Sequence, residues 1–376
     1  VQSFLQQGKP ANDVLLYYPI ADRYSQPGNV MLQHFDGMEK NFEKTDFEHV
    51  AKWMQEEGYG FDFFSDRQLK KFSFTNKQIF TGGNNYKAIL LPANKLMDEL
   101  SFSKLLELAT HGATILVYKE LPKGPPGLSN TGNRTKMFNN ILGQIVPTEN
   151  GKLQICGIGK GRFIISDNME ALMEAANVHT ALLGEKELSV LKRRVNNQPV
   201  YFINNRTDKS VRKFITLSER SANLALFDPM TGNKGLASYR YNAAKNIEVL
   251  ISLAPGESVL LQSVPAATKD NVFPYVEKTG TPVSLEGNWT LKFLEGGPQL
   301  PATQTLATLR SWTEIAGEEG KNFSGTALYT LSFKKPADHT GNWLLNLGQL
   351  SATAEVRLNG KTIATLVGPT FETVIP

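Results

Sequence analysis

The regular exchange of apolar strands and amphipathic helices between residues 13 and 195 constrains the fold of this chain most. DVLLYY, Asp13–Tyr18, and ATILVYK, Ala113–Lys119, are continuous apolar runs, as expected for strands covered on both faces of a sheet. The segment Phe47–Met54 carries apolar residues at i, i+3, i+4 and i+7, which is one face of a helix. Strand–helix–strand units of this length predict a parallel sheet with right-handed crossovers.

Glycines mark the ends of the helices in this α/β part. The helix predicted over Asn41–Glu57 is followed by Gly58, and the next helix ends at Gly112. The Gly/Pro/Asn-rich segment Pro122–Asn133 predicts a long surface loop. The other elements predicted here are, in order, the strands GYGFDFFS, YKAILLP and RFIIS and the helix Met169–Ala176.

From about Asn196 the apolar pattern changes to period two, which is typical of half-buried strands. Residues 247–253 alternate in this way, Ala254–Glu257 fits a type II turn, and Val259–Val264 returns as the partner strand. We therefore predict a small antiparallel β-domain over 196–265, followed by a Pro-containing linker over 266–284. Further alternating runs, with Asn359–Gly360 as a hairpin signal, predict a β-sandwich or jelly roll over 285–376.

Both ends of the sequence are expected to be cut from a longer protein. The first residues, VQSFLQQGK, have the pattern of the last turns of a helix, with Gly8 past its end. We interpret residues 1–12 as the tail of a preceding domain. The sequence stops at ETVIP, where a strand is starting, so the last β-domain is expected to be truncated.

Composition and charge favour a globular protein with no nucleic-acid patch and no membrane-spanning helix. Lys plus Arg number 40 and Asp plus Glu 36, so the net charge of +4 is small, and the one tight basic run is Lys192–Arg194. We interpret that run as a solvated helix end rather than a nucleic-acid patch. No apolar run is long enough for a membrane-spanning helix, and no segment has the pattern of a signal peptide.

Nucleophile and metal motifs are missing from the sequence. The one cysteine, Cys156, lies among glycines with no helix after it, and Glu120 follows the strand where a nucleophile is expected. GIGKGR has the wrong spacing for a phosphate loop, and GxSxG does not occur. The scattered histidines make no HxxxH or HxH pair: His34, His49, His111, His179 and His339. We predict no metal and no cofactor.

Carboxylates after the first two strands are the remaining candidates. Because ligands bind at the carboxyl ends of parallel strands, one crevice could be lined by Asp22, Arg23, Tyr24, Asp62, Asp66 and Arg67. The interpretation we favour is structural: Asp66 caps the helix that follows it, and Asp22 pairs with Arg23. A binding crevice is the alternative. Trp312, in the loop-like TLRSWTEIAG, is the tryptophan we expect to be exposed for stacking on a sugar ring.

These segments together resemble part of a known family. QSFLQQGKPANDVLLYYPIADRYSQ, GYGFDFFSDRQL and YKAILLP resemble the region after the catalytic barrel in α-L-rhamnosidase-like enzymes of glycoside hydrolase family 106. NNRTDK, LFDPMTG and LAPGESVLL are similar to the β-domain that comes next in those chains. The last segment, from FSGTALYTLSF to TLVGPTFE, is similar to the sugar-binding, galactose-binding-like domain of glycoside hydrolase family 2.

The resemblance implies a multidomain chain whose α/β part, residues 13–195, is like a class I glutamine amidotransferase domain that has lost its nucleophile. In the family the catalytic glutamates lie on the barrel, so no catalytic residue is carried over to this chain. The implied partners are carbohydrate and an upstream barrel of the same polypeptide, and the implied location is periplasmic or extracellular, in a bacterium. Calcium occurs in β-domains of this kind, but no Asp-rich loop here requires it. A carbohydrate-binding protein that acts alone is the alternative.

Overall fold

The computed structural model describes residues 1–25, 42–219, 223–265, 271–334, 341–368 and 370–375. The chain divides into two compact units, Val1–Tyr275 and Val276–Pro376. The first unit contains an α/β part and an antiparallel β part. His34 and His339, named among the candidate metal ligands, lie outside the described residues.

The α/β part contains eleven described strands and seven described helices. In chain order they are α1 Gln2–Leu5, β1 Lys9–Pro10, β2 Val14–Tyr17, α2 Ile20–Tyr24, α3 Asp46–Glu56, β3 Phe61–Phe64, α4 Asp66–Leu69, β4 Ser73–Thr75, β5 Gln78–Thr81, β6 Asn84–Tyr86, β7 Ala88–Leu91, α5 Glu99–His111, β8 Thr114–Tyr118, α6 Thr131–Leu142, β9 Thr148–Asn150, β10 Leu153–Ile158, β11 Gly161–Ser166 and α7 Met169–Ala175.

The main sheet of this part has seven strands in the order β3-β2-β7-β8-β11-β10-β9. The first five pair in parallel, and β10 and β9 add an antiparallel edge. Helices α3 and α7 cover one face, and α5 and α6 cover the other. This arrangement explains why all four residues of β2 and of β7 are buried. The predicted parallel α/β sheet is confirmed.

Two local predictions in this part need correction or refinement. Helix α6 begins at Thr131, inside the segment that the sequence assigned to a loop, after Asn130 in the left-handed conformation (φ 48°). Helix α3 begins at Asp46, where Thr45 accepts a hydrogen bond from the Glu48 N–H, and not near residue 41. Gly58 and Gly112 follow their helices at positive φ, as predicted.

The antiparallel part of the first unit contains nine described strands. They are β12 Leu182–Leu183, β13 Leu188–Val195, β14 Gln198–Asn205, β15 Val211–Leu217, β16 Leu224–Phe227, β17 Lys234–Leu236, β18 Tyr239–Tyr241, β19 Ile247–Leu253 and β20 Ser258–Ser263. Two sheets, ordered β1-β13-β14-β20-β16-β17 and β12-β15-β19-β18, share one apolar core. Strands β12 and β13 extend this part to residues before 196. The exact domain limits stay predictions.

The basic run Lys192–Arg194 lies in strand β13, so its interpretation as a helix end is wrong. Lys192 and Arg194 both pair with Glu219, and Arg193 donates to the backbone oxygens of Gln7 and Gly8. Three consecutive charged residues have neither a helical nor a strand period, so the local sequence does not distinguish the two structures here. The cations therefore hold the amino-terminal segment and the loop after β15.

The second unit contains seven described strands and two short helices. They are β21 Trp289–Gly297, β22 Gln304–Leu306, α8 Trp312–Ile315, α9 Gly317–Asn322, β23 Ser324–Thr330, β24 Trp343–Asn346, β25 Ala354–Leu358, β26 Lys361–Leu366 and β27 Glu372–Ile375. They form sheets β22-β21-β23, β24-β27 and β25-β26. Asn359 and Gly360, both at positive φ, close the predicted hairpin between β25 and β26.

Candidate functional site

The carboxyl ends of β2, β3 and β7 meet where the direction of the sheet reverses. Strand β2 leads through α3, on one face, to its neighbour β3, whereas β7 leads through α5, on the other face, to β8. In open α/β sheets ligands bind in the crevice at such a switch point. The acidic candidates Asp22 and Asp66 follow β2 and β3 and therefore lie at this end of the sheet.

Tyr17, the last residue of β2, is fully buried at this edge of the sheet. Its hydroxyl lies 3.1 Å from Oδ1 and 3.0 Å from Oδ2 of Asp66, to which it donates. Burial raises the pKa of Tyr17, and the charges of Asp66, Asp22 and Asp98 raise it further. Tyr17 is therefore a neutral donor that holds the Asp66 carboxylate.

The sequence suggested that Asp66 caps helix α4, but the structure shows that it does not. Ser65 occupies the N-cap position in a capping box with Gln68, and Asp66 is the first helical residue. Its side chain is thereby free to reach Tyr17, 49 residues earlier in the chain. The structural role predicted for Asp66 is present, but its partner is a phenol and not the helix backbone.

Asp22 holds the loop after β7 in place. Its two carboxylate oxygens accept hydrogen bonds of 2.7 Å from the backbone N–H groups of Lys95 and Leu96. Burial raises the pKa of Asp22, and the two N–H donors act in the opposite direction. Asp22 is thus an acceptor for a buried turn, which differs from the predicted pairing with Arg23.

Asp98 and Glu99 complete the polar edge together with Arg134 of α6. Asp98 caps α5 by accepting from the Ser101 N–H, and the guanidinium of Arg134 donates to Glu99 at 2.7 and 2.8 Å. This bidentate bond holds the pKa of Glu99 below its usual range. The N-cap pattern of Asp98 before an apolar run was detectable in the sequence, but no sequence signal indicated Arg134.

The other predicted residues lie apart from this cluster. Asp62 is inside β3, toward its amino end, where it accepts a 2.9 Å hydrogen bond from the hydroxyl of Tyr86. Arg23 is buried, whereas Tyr24 is 70% exposed. Arg67 is exposed on α4. The structure therefore brings Asp22 and Asp66 together around Tyr17, and it leaves Asp62 at a different level of the sheet.

The one cysteine of the sequence does not lie at the end of β8, where a nucleophile was sought. Cys156 is buried in β10, and Lys119 and Glu120 follow β8, where a nucleophile was sought. Within the ranges that the structure covers, no three His, Cys, Asp or Glu side chains are grouped so that they could hold a metal ion. No helix in those ranges is long and apolar enough to cross a membrane.

Trp312 is half-buried at the start of α8 in the second unit. Its ring packs edge-on against Phe293 and Phe323, with centroids 6.3 and 6.1 Å away, and it belongs to the apolar core of that unit. The exposure expected from the sequence is thus only partial. A role of Trp312 in contacting carbohydrate stays a prediction.

Comparison with known proteins places this chain among relatives of the glycoside hydrolases. The structure of a rhamnosidase from Novosphingobium sp. PP1Y superposes on 98% of this chain with a TM-score of 0.71 at 21% sequence identity, so the two share a fold. A protein of Formosa agariphila named "Putative beta-glucuronidase" is 34% identical over 94 residues, 24% of this chain.

Residues 2–241 match the family model described as alpha-L-rhamnosidase, glycoside hydrolase family 106, and the chain belongs to this family. The chain spans only part of both relatives. It covers 34% of the length of the rhamnosidase structure and 8% of the length of the Formosa protein.

Proposed function

We propose that this chain is a non-catalytic accessory portion of an α-L-rhamnosidase-like glycoside hydrolase. It supports a catalytic barrel in the same polypeptide, and residues at the edge of this chain contact carbohydrate. The observation that carries the proposal is that the carboxylates at the switch point are all occupied by structural partners. The amidotransferase-like and galactose-binding-like domain types implied by the sequence resemblance belong to the same proposal.

Glycoside hydrolysis ordinarily requires two carboxyl groups, one protonated and one ionised, roughly 5 to 9.5 Å apart on either side of the bond that breaks. Asp66 accepts from Tyr17 through both oxygens, and Asp22 accepts from two backbone N–H groups. Asp98 caps a helix and contacts Arg134. Breaking any of these contacts leaves buried donors without acceptors, so none of these carboxylates is available to a substrate at low cost.

The direct test is to incubate the purified chain with 4-nitrophenyl α-L-rhamnopyranoside and to measure nitrophenol release. We expect no release above the protein-free rate, because the proposal places the acid and the base on the catalytic barrel and not on these residues. A turnover faster than about 1 s⁻¹, which is within the range of ordinary enzymes, would show that the proposal is wrong. Asp22→Asn and Asp66→Asn variants would then identify the carboxylate responsible.

A self-standing carbohydrate-binding protein is the rival function, and a purely architectural module is a third. Replacing Trp312 distinguishes the carbohydrate-binding function from the purely architectural one. Its half-buried ring has one part in the core and one part in solvent. Calorimetric titration with rhamnose-containing oligosaccharides should detect binding that Trp312→Ala removes, if the second unit holds glycan. The Trp312→Phe variant is the matched control, because it keeps an aromatic ring in the core.

The proposal includes a periplasmic or extracellular location in a bacterium, and its support is the family resemblance. A single cysteine, buried and free, is compatible with an oxidising compartment because it forms no disulfide. Fractionation of the source cells, with detection by an antibody against this chain, tests the location. Recovery in the cytoplasmic fraction alone would contradict it.

A further inference from the structure

A shallow, open cavity lies at the carboxyl ends of β8 and β11, away from the acidic cluster. Its volume is about 250 Å³, and its walls come from α3, the end of β8 and the residues that lead into α7. It is lined by His49, Trp53, Tyr118, Asp167, Asn168, Met169 and Glu170. The carboxyl ends of neighbouring parallel strands are a usual place for a ligand in this kind of sheet.

The chain next to this cavity is strained. Lys119, directly after β8, has a φ of 62°, and the Glu120 N–H donates to the Tyr118 carbonyl at 2.8 Å. A three-residue turn closed in this way at positive φ is rare and costs energy for a residue other than glycine. The ammonium of Lys119 is held 2.5 Å from Asp46 and 5.0 Å from the centre of the Tyr118 ring. Such strain is concentrated at functional sites more than elsewhere.

Two flat side chains of α3 border the cavity one helical turn apart. The His49 ring stacks on Tyr118 with centroids 5.7 Å apart, and the Trp53 ring stacks on Tyr59 at 5.3 Å. Each ring therefore has one face covered by protein. Residues at i and i+4 lie on the same side of a helix, and both side chains line this cavity. Rigid, half-covered aromatic rings are suitable platforms for the apolar face of a ligand ring.

The opposite wall supplies polar groups. Asp167 and Glu170 are exposed, and neither makes a hydrogen bond or ion pair with another described side chain. Asn168 uses its Oδ1 to cap the Ala171 N–H at 2.9 Å, which leaves its amide N–H₂ group as a donor. The wall thus offers two carboxylate acceptors and one amide donor within the four residues 167–170.

We propose that this cavity binds one neutral sugar unit, with its ring against Trp53 and His49 and its hydroxyl groups donating to Asp167 and Glu170. An anionic ligand is disfavoured by the two carboxylates. A cation over the Tyr118 ring is excluded because Lys119 already occupies that position. A volume of about 250 Å³ suits a single ring rather than an oligosaccharide. The inference rests on the proposed function only for the choice of a rhamnoside as the first probe.

The experiment is a titration of the chain with methyl α-L-rhamnopyranoside, followed by saturation-transfer NMR. We expect binding that weakens by about fivefold or more in the Asp167→Asn/Glu170→Gln double variant, because charged acceptors are lost. Trp53→Leu should weaken it similarly by removing the platform. Glu174→Gln, on the exposed side of the same helix α7, is the matched control and should leave binding unchanged.

Two parallel titrations decide the class of ligand. D-glucuronate, which is anionic, should not bind, and choline, which is cationic, should bind less well than the rhamnoside. If choline alone binds, or if the double variant binds the rhamnoside as well as the unaltered chain does, the inference is wrong. Circular dichroism checks that the variants fold. Failure here leaves the nitrophenyl rhamnoside assay unaffected, so the non-catalytic assignment is tested separately.

Discussion

The hydroxyl of Tyr17 lies 3.0 and 3.1 Å from the two carboxylate oxygens of Asp66. One residue ends β2 and the other begins α4, so this contact joins two segments that are 49 residues apart. Replacing Tyr17 with Phe leaves the carboxylate without its donor. We expect the free energy of unfolding of the first unit to fall by about 1–3 kcal/mol. Urea titration measures the loss, and Tyr24→Phe, at an exposed position, should show none.

Alkaline pH should weaken the first unit through Tyr86. Burial, then the hydrogen bond to Asp62, raises the pKa of Tyr86 to about 12, above its ordinary value of 10.0. Because the folded state favours the protonated phenol, its contribution is complete below pH 10 and is lost as the pH rises through 12. The free energy of unfolding, measured between pH 9 and 12, should therefore fall less steeply in Tyr86→Phe.

Asp62→Asn is the companion variant for this prediction. It keeps the phenol buried but removes the negative charge that disfavours its ionisation, so the fall in stability with pH should also be less steep. Equal slopes of the free energy of unfolding against pH in all three proteins would show that Tyr86 and Asp62 do not cause the loss of stability at alkaline pH.

Acid should lower the stability of the first unit through the ion pair formed by Glu99 and Arg134. The Arg134 guanidinium holds the pKa of Glu99 below its ordinary value of 4.5, which means that folding favours the ionised carboxyl. Its contribution is present above pH 4.5 and is lost as the pH falls through the lowered pKa. Thermal unfolding at pH 7 and pH 3.5 should therefore differ less in Glu99→Gln than in the unaltered chain. A larger difference in the variant would contradict this.

Gly8 should not tolerate a side chain. It has a φ of 64°, and a Cβ at this position would lie 1.9 Å from the backbone oxygen of Arg194. Gly8→Ala should therefore separate β1 from β13 and expose the first residues to protease. Gly82 has a similar φ of 58° with no atom near its Cβ, so Gly82→Ala should lose only about 1–2 kcal/mol. Equal losses would show that the contact with Arg194 can relax.

The parallel sheet was predictable because its strands are buried on both faces and their apolar runs are continuous. Helix α6 was not, since only Phe138 and Ile141 are buried along it and its first residues resemble a loop. The prediction that the basic run of β13 ends a helix was wrong for a different reason. Its charged residues pair with partners from elsewhere in the chain, so the local pattern contained no sign of them.

The candidate residues at the switch point were found from position alone, since they follow strands. Their partners could not be found in that way. The sequence indicated only that Tyr17 is a core residue. The Lys95 and Leu96 N–H groups belong to the backbone, so no side-chain pattern indicates that they bind Asp22. The cavity beside Lys119 also escaped sequence analysis, because its walls come from three segments that meet only in the folded sheet. Hydrogen-bond partners and cavities depend on tertiary contacts, whereas buried strands are visible in local periodicity.

Cys156 gives the experimenter an internal reporter. It is the one thiol in the sequence, it is 5% exposed in β10, and its sulfur lies 3.9 Å from the Gln144 carbonyl just beyond α6. A thiol-specific reagent can therefore reach it only when the outer antiparallel edge of the sheet opens. Labelling kinetics with the unaltered chain would follow the local opening of that edge separately from unfolding of the second unit, which contains no cysteine.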